Sequence, residues 1–258
     1  MSRFNSLEFD GQNPLPRQAS PAQKDEHYYL AHGQSLFESG LFEPALRAFA
    51  KVLEFNPQNT LAWTNQVRML IELGDFSEAK LWADKALEKF PREPELLAAK
   101  AVALARLGDY AAALAFSDAS VEVRGETAYI WLARADVLLS REEAKADHCF
   151  EKARGLAAGD WFLHWLASRI FFFYKKFSLA LKWIQQALAL NGGQSSVWVQ
   201  LGQCQLALGL TGGAKTSFEQ ALQLNPQCEE SKAALLSLTD VGFFGRLRNR
   251  WQELLHGS

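Results

Sequence analysis

Cysteine is scarce in this chain of 258 residues, with only Cys149, Cys204 and Cys228 present. An odd number at wide spacing argues against a disulfide framework, and free thiols suit a reducing cytoplasm. A basic excess is missing as well. Lys and Arg total 27 against 29 Asp and Glu, a formal charge of −2, whereas general nucleic-acid binding rests on a concentrated basic patch. Long apolar runs are also lacking. The most apolar stretch, Trp161 to Tyr174, is interrupted by His164 and Arg169 and is too short to span a bilayer. The first residues, MSRFNSLEFDGQNPLPRQASPAQ, hold neither an apolar core of secretory length nor a cysteine for a lipid anchor. The expectation is a soluble cytoplasmic protein.

What is abundant is aromatic surface, with eight Trp and eighteen Phe, and a period. The segments beginning at Ala45, Ala79, Ala113, Ala146, Ala180 and Ala214 share one shape, from "ALRAFAKVLEFNP" to "AKTSFEQALQLNP". Successive alanines are 34 residues apart, except for one step of 33 that falls in the turn at Arg141 to Lys145. Eleven or twelve residues before each alanine stands a short side chain: Gly33, Val67, Ala101, Ala135, Ser168 and Gly202. Four positions earlier come Tyr29, Trp63, Leu97, Trp131, His164 and Trp198. Gly40, Gly74, Gly108 and Gly209 mark turns, and Phe42, Phe76, Tyr110 and Phe177 stand three before their alanines. Apolar residues recur at helical spacing on both sides of each turn, so every unit reads as two helices. Alanine and glycine at the closest approach permit a short interaxial distance. Pro57, Pro91 and Pro226 end second helices. One hairpin cannot bury both faces, so stacking on neighbours supplies the core.

This pattern resembles the tetratricopeptide repeat. The resemblance implies an all-α, right-handed superhelical solenoid of six repeats, at 26–59, 60–93, 94–127, 128–160, 161–194 and 195–228. Residues 229–240 read as a capping helix, and 1–25, with Pro14, Pro16 and Pro21, as a disordered arm. The tail 242–258 places Phe244, Leu247, Trp251 and Leu254 or Leu255 on one helical stripe among Arg246, Arg248 and Arg250. It reads as an additional cap in preference to a membrane-surface helix, because its apolar face is short.

The stretch "LGLTGGAKTS" at 208–217 approaches a phosphate-binding loop. The repeat accounts for it differently: Gly209 is a turn glycine, Ala214 is the repeat alanine, and the preceding "VWVQLGQCQLAL" is a helix where a phosphate loop follows a strand. His148–Cys149 and the other histidines lack ligand spacing, and Glu142–Glu143 has no acid–base partner nearby. No catalytic residue, metal or cofactor is therefore expected.

In the family, the first helices of successive units line a concave groove that takes a peptide or helix of a partner. Carried over, that groove presents Asn65, Arg68, Arg106, Tyr129, Leu132, Asp136, Trp165, Arg169, Phe172, Phe173 and Gln203. The carboxylate clamp of chaperone-binding relatives has Asn65 at one position but Leu30, Gln34, Glu95 and Ala99 at the others, which argues against it. The row Arg68, Arg106, Arg169 beside Trp165 and Phe172 points to an acidic and apolar protein segment as partner. The function expected is a non-catalytic interaction scaffold or adaptor. The alternative is a peripheral membrane-assembly or regulatory factor localised by its basic tail. Phe171 is assigned to the core, and at least one of the adjacent aromatics should be exposed. Lys100 and Arg134 stand where the family has a buried leucine, and the sequence gives no account of them.

Overall fold

The computed structural model describes residues 24–123 and 126–238. Among them there are only helices and their connections. Six antiparallel hairpins follow one another: α1 (Glu26–Glu38) with α2 (Phe42–Phe55), α3 (Thr60–Leu73) with α4 (Phe76–Lys89), and α5 (Pro94–Leu107) with α6 (Tyr110–Glu122). Then come α7 (Ala128–Leu139) with α8 (Lys145–Leu156), α9 (Trp161–Phe173) with α10 (Phe177–Leu190), and α11 (Ser195–Ala207) with α12 (Thr211–Leu224). Helical residues 229–238 follow. The arm and tail lie outside the described residues, apart from 24–25 and 229–238.

Each hairpin turn has one geometry. After the first helix the chain enters the left-handed region at Gly40, Gly74, Gly108 and Gly209, with φ between 76° and 86°. The next amide then reaches back to the helix, as Asp75 N–H does to Leu70 O at 2.9 Å. The fourth and fifth hairpins form the same bond, Glu143 N–H to Leu138 O at 3.0 Å and Lys176 N–H to Phe171 O at 2.9 Å. Their left-handed residues are Glu142 and Lys175, at φ 55° and 57°. Side chains of Asp25, Asn59, Asp109, Thr127 and Asp160 cap the helices that follow them.

The six repeat alanines are all buried, none more than 2% exposed. Close packing is tightest where glycine replaces a side chain. A Cβ at Gly33 would lie 2.8 Å from the Phe49 ring, and one at Gly202 would lie 2.7 Å from Phe218. Lys100 and Arg134 now have a role. Lys100 Nζ pairs with Asp84 on α4 at 2.6 Å, above the Phe116 ring, and Arg134 pairs with Asp118 on α6 at 2.7 Å. Both pairs tie a hairpin to its predecessor, and both cationic side chains are largely buried.

The core does not follow the one-dimensional expectation that contacts run only between neighbours. One apolar cluster joins Phe37, Phe49 and Met69 of the first two hairpins to Trp165, Ile184 and Cys204 of the last two. The array curls until its start meets its end. Phe37 packs edge-on against Phe162, ring centroids 4.9 Å apart, and Phe42 stacks on Trp165 at 6.1 Å. Ser196 Oγ donates to Glu38 O at 2.6 Å, a bond spanning 158 positions. Gly40 keeps the turn slim here, its hypothetical Cβ lying 3.6 Å from Ser196.

Candidate functional site

The first helices of the hairpins, α1, α3, α5, α7, α9 and α11, bring the sequence-expected residues to the inner side of the curl. Closure changes what most of them can do. Asn65, Leu132, Asp136 and Trp165 are each no more than 2% exposed. Trp165 was expected on an open groove wall. It is instead enclosed by the first hairpin, with its Nε1–H donating to Ser196 O at 3.1 Å. Phe171 is core, 2% exposed, while Phe173 is 47% exposed at the mouth of the inner face.

The three arginines are not equivalent. Arg106 on α5 grips Asp136 on α7 with two bonds, Nη2 to Oδ2 at 2.6 Å and Nε to Oδ1 at 3.2 Å. Both side chains are almost fully buried, and Tyr174 O–H completes the group by donating to Asp136 Oδ1 at 2.7 Å. Burial alone would depress the Arg106 pKa, but the Asp136 carboxylate outweighs it and holds the value above its ordinary range. The Tyr174 phenol is pushed up by burial and by the same carboxylate. The Phe173 ring covers the Arg106 guanidinium at 3.5 Å. Arg169 on α9 donates through Nε to Glu72 on α3 at 2.6 Å and lies over Phe42 and Trp165. Arg68 alone of the row has no carboxylate partner among the described residues. Its guanidinium sits between the rings of Phe37 and Tyr129, 4.9 and 4.1 Å away, with a 3.3 Å bond to Asn65 Oδ1.

Beside a larger opening of about 400 Å³ at the seam, lined by Phe42, Trp165 and Ser196 among others, there remains open a cleft of about 240 Å³ bounded by Glu72, Arg169, Phe172, Phe173, Gln203 and Glu230. It adjoins a recess of about 40 Å³ whose lining includes Arg68, Tyr129 and Asp136, the two sharing Ile71, Glu72, Arg106 and Ile170. The residues missed by sequence reasoning are the ones that neutralise or close: Glu72, Tyr174, Glu38 and Ser196. Glu72 follows Arg68 by four positions and so shares its helix face; nothing local marks Ser196. The phosphate-loop look-alike is a helix turn, with Ala214 0% exposed inside α12 and helix α11 where a strand would stand. No group of His, Cys, Asp or Glu among the described residues has metal-binding geometry. No helix there is long and apolar enough to cross a membrane.

The hairpin array agrees with what known proteins show. The tetratricopeptide repeat family profile matches residues 8–153, and a second tetratricopeptide repeat profile matches 195–228. Sperm-associated antigen 1 of Rattus norvegicus is 31% identical over 86 residues, which cover 32% of this chain and 10% of that protein. Tetratricopeptide repeat protein 17 of the same organism is 36% identical over 78 residues, 30% of this chain and 6% of that one. This chain therefore spans only a small part of these relatives. Among solved structures, a tetratricopeptide repeat protein from Parabacteroides merdae superposes with TM-score 0.53 at 19% identity, covering 86% of this chain and 88% of that one. Human IFIT1, determined as a dimer with m7Gppp-AAAA, gives 0.51 at 18% identity over 89% and 59% of the two chains. At such identities these two show the fold alone. With the family profile covering more than half of its length, and with the repeat turns and buried alanines in place, this chain belongs to the tetratricopeptide repeat family.

Proposed function

We propose that the chain is a non-catalytic protein-interaction scaffold. It takes an apolar partner segment carrying an acidic side chain in the cleft left open beside the closure. The observation that carries this reading is Phe173, a large apolar side chain left 47% exposed at the rim of a concave cleft, with Phe172 and Arg169 beside it. Exposed aromatic and arginine side chains around a concavity are the usual anchors of an interface. The acidic preference rests on Arg68, whose charge meets only an amide and two rings and borders the small recess. A partner carboxylate there would gain a charge-assisted bond. An RNA ligand of the kind named for IFIT1 is disfavoured, because two of the three inner arginines already hold Asp136 and Glu72.

Partners captured from the source organism should be tested against Phe173→Ala and Arg68→Gln, with melting followed in parallel. Loss of affinity by about 1–2 kcal/mol in Phe173→Ala with an unchanged melting temperature supports the cleft. Wild-type affinity in both variants would move the binding surface elsewhere. The basic tail at 242–258 lies outside the described residues; flotation with liposomes, intact against truncated at Asp240, decides the membrane alternative.

A further inference from the structure

The three openings of the inner face form one series. The cleft of about 240 Å³ stands in the middle, sharing Arg106 and Ile170 with the recess. With the opening of about 400 Å³ at the seam it shares Arg169, Gln200 and Glu230. The recess and the seam opening have only Glu72 in common. A trough therefore runs from Arg68 past Phe173 to the connection 225–228, across from Leu41 and Phe42 of the first hairpin. Its narrow end, about 40 Å³, holds the space of about three waters, enough for the tip of one side chain.

The charges along this trough largely answer one another. Arg106 is held by Asp136 and Arg169 by Glu72, and Glu230 accepts from Gln203 Nε2. What is left to bond beyond the aromatic rim is carboxamide: Gln200 and Gln203 on α11, then Asn225 and Gln227. Gln200 stands where the cleft and the seam opening meet, and it is only 2% exposed. Its one hydrogen bond among the described residues is weak, Nε2 to Cys204 Sγ at 3.6 Å. The amide oxygen has no partner there and is not sealed in by the protein, so it opens on the trough. Exchanging the amide nitrogen and oxygen leaves the same result: one end meets sulfur and the other meets open space.

A buried amide with one end unanswered suits a ligand that brings donors and acceptors without charge. The peptide main chain is such a ligand wherever its N–H and C=O groups are not already paired. In a helix they are consumed by the internal ladder, and the rod is about 10–12 Å across. In an extended segment they are free, and successive side chains point to opposite sides.

We propose that the partner segment is bound extended, with its main chain passing Gln200. Its acidic side chain enters the recess at Arg68, its apolar side chain lies on Phe173, and the main chain beyond hydrogen-bonds the Gln200 carboxamide. This rests on the scaffold reading above and adds the conformation of the partner.

The probes are acetylated peptide amides that hold Glu, Phe and a run of alanines in that order, made in both chain directions. They are titrated calorimetrically into the full chain. N-methylation at each alanine in turn removes one main-chain donor. At one position it should weaken binding by about three- to tenfold, the worth of one hydrogen bond. In Gln200→Leu the unmodified peptide should lose a similar factor, and the same methyl group should cost nothing further. Should that variant fail to fold, Gln200→Met, unbranched and of similar length, takes its place. A lactam-stapled helical version should bind more weakly than the linear peptide. Equal sensitivity to the methyl group in the wild type and in Gln200→Leu would overturn the proposal, and so would tighter binding of the helix. If Phe173→Ala still weakens those peptides, the scaffold reading survives and only the extended conformation falls. Absence of saturable binding by every probe overturns both.

Discussion

Replacing Phe37 by alanine probes the closure of the array at one side chain. Phe37 is 0% exposed and touches three hairpins: Phe42 in its own, Arg68 in the next, and Phe162 and Trp165 in the fifth. Truncating a buried phenylalanine costs about 3–5 kcal/mol, a large share of the roughly 5–15 kcal/mol that holds a domain folded. At about 2–4 °C per kcal/mol for a chain near this size, the melting temperature should fall by about 6–20 °C. The place of the loss is more informative than its size. In an array with neighbour contacts only, hydrogen exchange would accelerate in α1 to α3 and nowhere else. Here the first turns of α9 and α11, which carry Phe162, Trp165 and Ser196, should also lose protection. A double-mutant cycle with Phe162→Ala isolates the cross-array pair, for which an aromatic contact of this geometry gives about 0.5–1.5 kcal/mol. Exchange confined to the first two hairpins, with a coupling energy near zero, would refute the closed arrangement.

Two further outcomes follow from local geometry. Lys175 holds φ 57° where four other hairpins use glycine, so Lys175→Gly should raise stability by up to about 1 kcal/mol in a denaturant titration, the strain relieved outweighing the added chain entropy. At Asp84, burial raises the carboxyl pKa, but the hydrogen bonds and charges of Lys100 and Lys80 outweigh it and hold the value below the usual range. A lowered folded-state pKa gives stability that is present above the unfolded value and is lost as pH falls through the folded one. Melting recorded below about pH 4 should therefore fall less steeply in Lys100→Met than in the wild type.

The hairpins were legible because their determinants are local. A turn glycine has to supply a left-handed φ, and a repeat alanine has to let two helices approach, so both leave a mark every 34 residues. The ion pairs of Lys100 and Arg134 were legible in principle as well, since their partners Asp84 and Asp118 are themselves one repeat apart. The state of the inner face was not. Whether Trp165 lines a groove or seals one depends on the summed curvature of the hairpins before it, and a repeat position encodes only the step to its neighbour. The same limit hid the pairing of Arg169 with Glu72, which lie 97 positions apart. The arginine row could be read as residues, but its residual charge could not.

Joining Glu38 to Ser196 also sets an order of events in time. The entropy of closing a loop grows only with the logarithm of its length, so a span of 158 residues costs about 1.4 kcal/mol more than a span of 34. That increment is modest, but it falls due after the hairpins exist, because local contacts form first. The seam between the first hairpin and the fifth and sixth is then the last part of the molecule to assemble and the first to part. Side chains in the seam set how long the native form persists, while the turn glycines and repeat alanines set how fast it is reached.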